Sequence, residues 1–106
     1  MSKIRMGKLS DISPGSALEK RILARRIAIF NDNGKLYGIE SDCKHMRASL
    51  VGGSVRDGIL TCKWHGWQYD LSTGSCLNVK GVKLKQFEVT VDGDDVFLHY
   101  DRKVPQ

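Results

Sequence analysis

Two short segments, Cys43-Lys44-His45 and Cys62-Lys63-Trp64-His65, constrain this chain more than anything else in it. Each offers one thiolate and one imidazole, and both lie in stretches that read as loops. Two thiolates with two imidazoles form a soft, mixed donor set. Such a set suits a tetrahedral zinc ion, or an iron–sulfur cluster in which two His replace two Cys. Zinc modules usually pair Cys with Cys and His with His. Here each Cys is paired with a His instead. That pattern suits two equivalent loops clasping a binuclear centre from opposite sides, each giving a Cys to one metal and a His to the other. The bland alternative, core cysteines with surface histidines, is a poor account of a doubled motif.

The flanks of the motif sharpen this. His45-Met46-Arg47-Ala48-Ser49-Leu50 is followed by Gly52-Gly53 and then by Asp57-Gly58-Ile59-Leu60-Thr61-Cys62. His65-Gly66-Trp67-Gln68-Tyr69-Asp70 and Thr73-Gly74 come after. Together they closely resemble the Rieske 2Fe–2S domain, densely from Ser41 to Leu77 and more loosely elsewhere. The resemblance implies one [2Fe–2S] cluster. Cys43 and Cys62 would hold the inner iron, and His45 and His65 the outer iron near the surface. It implies roles for neighbours too. Tyr69 stands where a tyrosine donates to a cysteine sulfur. Gly66 lets backbone amides approach a sulfur, or serves only the turn. Met46, Trp64 and Trp67 are candidates for docking or for shielding the cluster from water.

One branch of the family ties its two cluster loops with a disulfide. The matching positions here are Arg47 and Trp64, which excludes that branch. Trp67 occupies the place of a serine that donates to a bridging sulfide in the high-potential branch, and an indole there cannot do so. Rieske potentials span about −150 to +300 mV, set by hydrogen bonds to sulfur, charge and exposure. One donor fewer and no disulfide put this chain in the lower half of that range. The residue after Cys62 is Lys63 where a proline is common, and 78–86 lacks the proline-containing loop that often covers the cluster. Val79-Lys80-Gly81-Val82 is therefore expected to cover it less rigidly.

The rest of the chain reads as all-β. Ile27 to Phe30 and Lys35 to Glu40 flank Asn31-Asp32-Asn33-Gly34, and Asn-Gly is a strong hairpin signal. Phe87 to Val91 and Val96 to Tyr100 flank Asp92-Gly93-Asp94-Asp95 as a second hairpin. Ser16 to Arg21, after Pro14-Gly15, is the one helix candidate and reads equally as loop. The resemblance implies a single Rieske domain over 1–106. Its antiparallel basal β-sandwich would come from 1–41 and 79–106, with a small cluster-binding subdomain, 42–78, inserted. The end, Lys103-Val104-Pro105-Gln106, reads as a frayed tail.

Composition narrows the function. At 106 residues there is room for one hydrophobic core. No apolar run approaches the roughly 20 residues of a membrane helix, and the basic start has no apolar stretch behind it to make a signal peptide. The cytoplasm is the expected compartment. Three cysteines, two of them assigned, leave Cys76 as a half-buried packing residue and no internal disulfide.

A saturated cluster has no open position for substrate, so the chain is expected to be no enzyme but an electron carrier. His99, in a late strand, reads as a sheet residue. A module of this length resembles a Rieske-type ferredoxin, shuttling electrons from a flavin reductase to a terminal oxygenase or similar redox enzyme. Two alternatives stand beside it: a fixed Rieske subunit of a larger reductase complex, and a zinc-stabilised binding module. The net charge is +5, whereas such ferredoxins tend to be acidic. Lys44, Arg47 and Lys63 lie in the ligand loops, with Lys80, Lys83 and Lys85 after them. Partners with acidic surfaces are the expectation, with a merely solubilising rim as the plain alternative. The aromatics sit in the motif or the core, which speaks against nucleic acid.

Overall fold

The computed structural model describes residues 2–22, 25–41, 49–63 and 66–100. Its strands are β1 (Ser2–Lys8), β2 (Ala17–Ile22), β3 (Arg25–Asp32), β4 (Lys35–Glu40), β5 (Ser54–Arg56), β6 (Ile59–Thr61), β7 (Gln68–Asp70), β8 (Gln86–Asp92) and β9 (Asp95–Tyr100). All pairings are antiparallel. Six strands form a sheet in the order β1-β9-β8-β4-β3-β2, and β5-β6-β7 form a separate small one. The all-β, antiparallel expectation is met.

Both expected hairpins are present, each a little longer than the sequence suggested. β3 and β4 pair from Ile27↔Glu40 to Asp32↔Lys35. Asn33 and Gly34 have φ of 57° and 98°, the left-handed pair that a two-residue hairpin turn needs. β8 and β9 pair from Glu88↔His99 to Asp92↔Asp95. The helix candidate is corrected. Ala17–Ile22 is strand β2, laddered to β3 from Ala17↔Phe30 to Ile22↔Arg25. The partner strand beside it, not local propensity, decided its state. Among the described residues the helical element is a short 3-10 turn, Leu9–Asp11.

The large sheet bends where β4 meets β8, through Gly38↔Phe87 and Ile39↔Gln86 alone. The bend brings the outer strands together, and Lys20 Nζ donates to the Arg5 carbonyl at 3.2 Å. Met6, Ile12, Ile22, Ile27, Ile29, Val96 and Leu98 fill the space between the two halves. A second apolar cluster lies on the other face of β3, under the small sheet. Ala28, Phe30 and Ile39 meet Leu50, Leu60, Tyr69, Leu71 and Leu84 there. Alternate side chains of β3 thus serve both clusters, which explains its unbroken apolar run. Each buried Ile or Leu contributes about 1.5–3 kcal/mol.

Candidate metal centre

β6 ends at Thr61, and Cys62 follows at the base of the loop that leads to β7. The loop is closed on itself. Cys62 N–H donates to the Trp67 carbonyl at 2.8 Å, and Gly66 N–H donates to the Cys62 carbonyl at 2.9 Å. Gly66 has φ +72°, a conformation a side chain would strain. Its amide is therefore spent on the turn. Cys62 itself is 1% exposed, packed with Leu60 and Tyr69. Trp67 is half-buried against the same cluster, and Tyr69 is fully buried within it. A thiol held out of water at the root of a loop is well placed to become a metal-bound thiolate.

Cys43, His45, Met46, Arg47, Trp64 and His65 lie outside the described residues, as does the 103–106 tail. The anchors of the first loop are described, and sequence reasoning missed them. Ser41 N–H donates to the Arg26 carbonyl at 2.8 Å, and Leu50 N–H donates to the Ser41 carbonyl at 2.7 Å. Ser41 Oγ and Ser49 Oγ both donate to Glu19 Oε2, at 2.5 and 2.7 Å. One carboxylate on β2 thus ties together the two ends of 42–48. A glutamate in a short strand gave no sign of this, because its partners lie far along the chain.

The two loops meet. Gly53 lies so close to β6 that a Cβ would overlap the Thr61 carbonyl oxygen. A Cβ on Gly52 would come within 3.0 Å of Lys63 Nζ, so the Lys63 side chain lies over the returning first loop. A third segment completes this end. Leu77 N–H donates to the Gln68 carbonyl at 2.7 Å, and Gln68 N–H donates to Asn78 Oδ1 at 2.6 Å. Cys76 N–H donates to the Val82 carbonyl at 2.9 Å. Val79 and Val82 pack on the apolar cluster. The segment without proline is therefore fastened by hydrogen bonds and packing. Cys76 is 8% exposed, more buried than expected. His99 is a sheet residue as read, with Nε2 2.8 Å from Thr90 Oγ1.

At the far end of the small sheet, Gly58 N–H donates to Asp32 Oδ2 at 2.5 Å, pinning the β5–β6 turn to β3. Asp70, the last residue of β7, accepts from Ser72 Oγ at 2.6 Å and Ser72 N–H at 2.9 Å. The hydroxyl first, then the amide, holds its carboxyl below the usual carboxylate range.

Comparisons with known proteins agree with this geometry. The family profile of the Rieske [2Fe-2S] domain matches residues 2–99. The biphenyl dioxygenase ferredoxin subunit of Pseudomonas sp. (strain KKS102) is 28% identical over 89% of this chain and 88% of that one. Human apoptosis-inducing factor 3 is 26% identical over 92% of this chain, which spans 16% of that longer protein. Among solved structures, a chain from the complex of reduced oxygenase and oxidized ferredoxin in carbazole 1,9a-dioxygenase superposes with a TM-score of 0.85. It is 27% identical and covers 97% of each chain. The described half of the site fits the [2Fe-2S] group that the family profile names: a buried thiol, Cys62, in a tightly turned loop, with a second loop stapled beside it. Among the described residues, no helix is long and apolar enough to cross a membrane.

Proposed function

Because this chain belongs to the Rieske [2Fe–2S] domain family, we propose that it is a one-electron carrier serving a terminal oxygenase or similar redox enzyme, with a flavin reductase as donor. Its cofactor is one [2Fe–2S] cluster. We assign Cys43 and Cys62 to one iron and His45 and His65 to the other, on the donor set and its spacing. When bound, the cluster supplies a one-electron couple and no vacant position for substrate, so the chain has no substrate site of its own.

The protein's part is to hold, insulate and present that centre. Leu60, Tyr69 and the half-buried Trp67 keep water from the Cys62 sulfur. On this reading the electron leaves from the side of the His-bound iron, away from the apolar cluster that buries Cys62. Glu19 sets the ends of the first loop, and Asn78 sets the position of the 77–82 turn against β7. Trp67 in place of a hydroxyl donor supports a potential in the lower half of the Rieske range. The same reading places the protein in the cytoplasm.

The observation that carries this proposal is the likeness to a dioxygenase ferredoxin subunit over 88% of that protein's length. The 16% share of apoptosis-inducing factor 3 favours a second reading, a Rieske unit working within a larger redox assembly. Absorption and EPR spectra before and after dithionite test the first claim. A red-brown protein that bleaches to a signal with average g below two supports the carrier. A colourless, EPR-silent protein with one zinc per chain ends it. Reduction by a flavin reductase without co-purifying subunits then separates the carrier from the fixed subunit.

A further inference from the structure

The described charges are separated along the strands. β8 runs from its pairing with Ile39 to the turn at Asp92, and β9 and β1 return from it. That turn holds Asp92, Asp94 and Asp95. The 3-10 turn carrying Asp11 is fastened there by Leu9 N–H to the Asp94 carbonyl at 2.8 Å and Ser10 Oγ to Asp94 Oδ2 at 3.0 Å. This end of the molecule is acidic, with Lys8 and the Asp95-bonded Arg5 among its cations.

The opposite end is basic, and it is the end of the metal centre. Arg21, Arg25 and Arg26 sit at the β2–β3 connection, and the Arg26 carbonyl holds Ser41. Lys63 follows Cys62 and lies over Gly52. Lys80 is exposed in the 77–82 turn, which is hydrogen-bonded to Gln68. Among the described residues, Glu19 and Glu40 share this end, and both are turned to internal work. Glu19 accepts from two serine hydroxyls, and Glu40 Oε1 accepts from Lys85 N–H at 2.7 Å.

From this separation we infer that the end carrying Lys63 and Lys80 is the docking face, and that it takes a redox protein presenting clustered Asp and Glu side chains. This rests on the carrier reading above and adds the chemistry of its partner. The dipole turns the electron-exit end toward an anionic surface before contact, raising the fraction of productive encounters.

Small redox ions read the field at the exit. One electron passes from the reduced protein to ferricyanide, giving ferrocyanide, or to hexaamminecobalt(III), giving cobalt(II). Stopped-flow rates with the wild type should fall with salt for the anion and rise for the cation. Lys80→Glu should slow ferricyanide about fivefold at low salt, and Lys8→Glu, with the same change in net charge, less than twofold. Poly-L-glutamate should block ferricyanide oxidation more strongly than a DNA duplex of equal charge concentration. Equal effects of Lys8→Glu and Lys80→Glu, or stronger protection by DNA, overturn the inference and leave the carrier intact. If the lysine variants fail to fold, a wild-type ferricyanide rate that rises with salt overturns it too. A colourless protein overturns the inference together with the carrier reading beneath it.

Discussion

The two apolar clusters of this molecule share strand β3 and are otherwise built on different terms. The basal cluster is enclosed by strands of six to eight residues whose ladders run nearly their full length. The small sheet has strands of three residues each. Short ladders leave many backbone groups to be satisfied elsewhere, and side chains supply partners: Asp32 for the Gly58 amide and Asn78 for the Gln68 amide, while Glu19 adds a tie to the Ser41 and Ser49 hydroxyls. Tertiary hydrogen bonds and close backbone approach therefore do for the small sheet what long pairing does for the base. The lesson is that the metal-bearing part depends on its ligands and anchors, whereas the base supports itself.

Cys62→Ser tests that dependence most severely. It should abolish the visible absorption of the centre. Amide hydrogen exchange should quicken across 59–69, while Ile27, Ile29 and Leu98 keep their protection. Equal loss of protection in both regions would erase the distinction. From the other side, Leu98→Ala removes a fully buried basal side chain. It should cost about 2–5 kcal/mol in denaturant unfolding and lower both regions together, because the small sheet stands on β3.

Glu19→Ala strips two hydroxyls of their acceptor and should cost about 1–3 kcal/mol. Faster exchange at Ser41 and Leu50 is expected, with β1 and β9 unchanged and the redox potential moved. Glu19→Gln, which keeps an acceptor oxygen, should restore most of it. The smallest effect concerns Asp70. Its folded pKa lies below its unfolded value, so its contribution is present above the unfolded pKa and is lost as pH falls through the folded one. Ser72→Ala should therefore lower stability slightly at neutral pH, and the difference from wild type should vanish in acid. A pH series of denaturant midpoints reads this directly.

Much of this contrast was legible in the residues themselves. The Cys–His pairs stood out because metal ligation tolerates few residue types, and their spacing is local. The Asn33-Gly34 hairpin was plain for the same reason, since a turn with two left-handed residues selects its sequence. Strand β2 was not. Ala17–Ile22 has no decisive periodicity, and its extended state comes from lying between β3 and the incoming edge of β1.

By itself, the sequence determined the kind of centre, the all-β class and the basic charge, all properties of residue identity and short spacing. The tertiary structure alone decided that Glu19 holds the first loop, that Asn78 fastens the segment lacking proline, and that acids and bases occupy opposite ends. Those depend on which strands become neighbours, a cooperative outcome of burying both faces of β3 that no local window of the chain encodes.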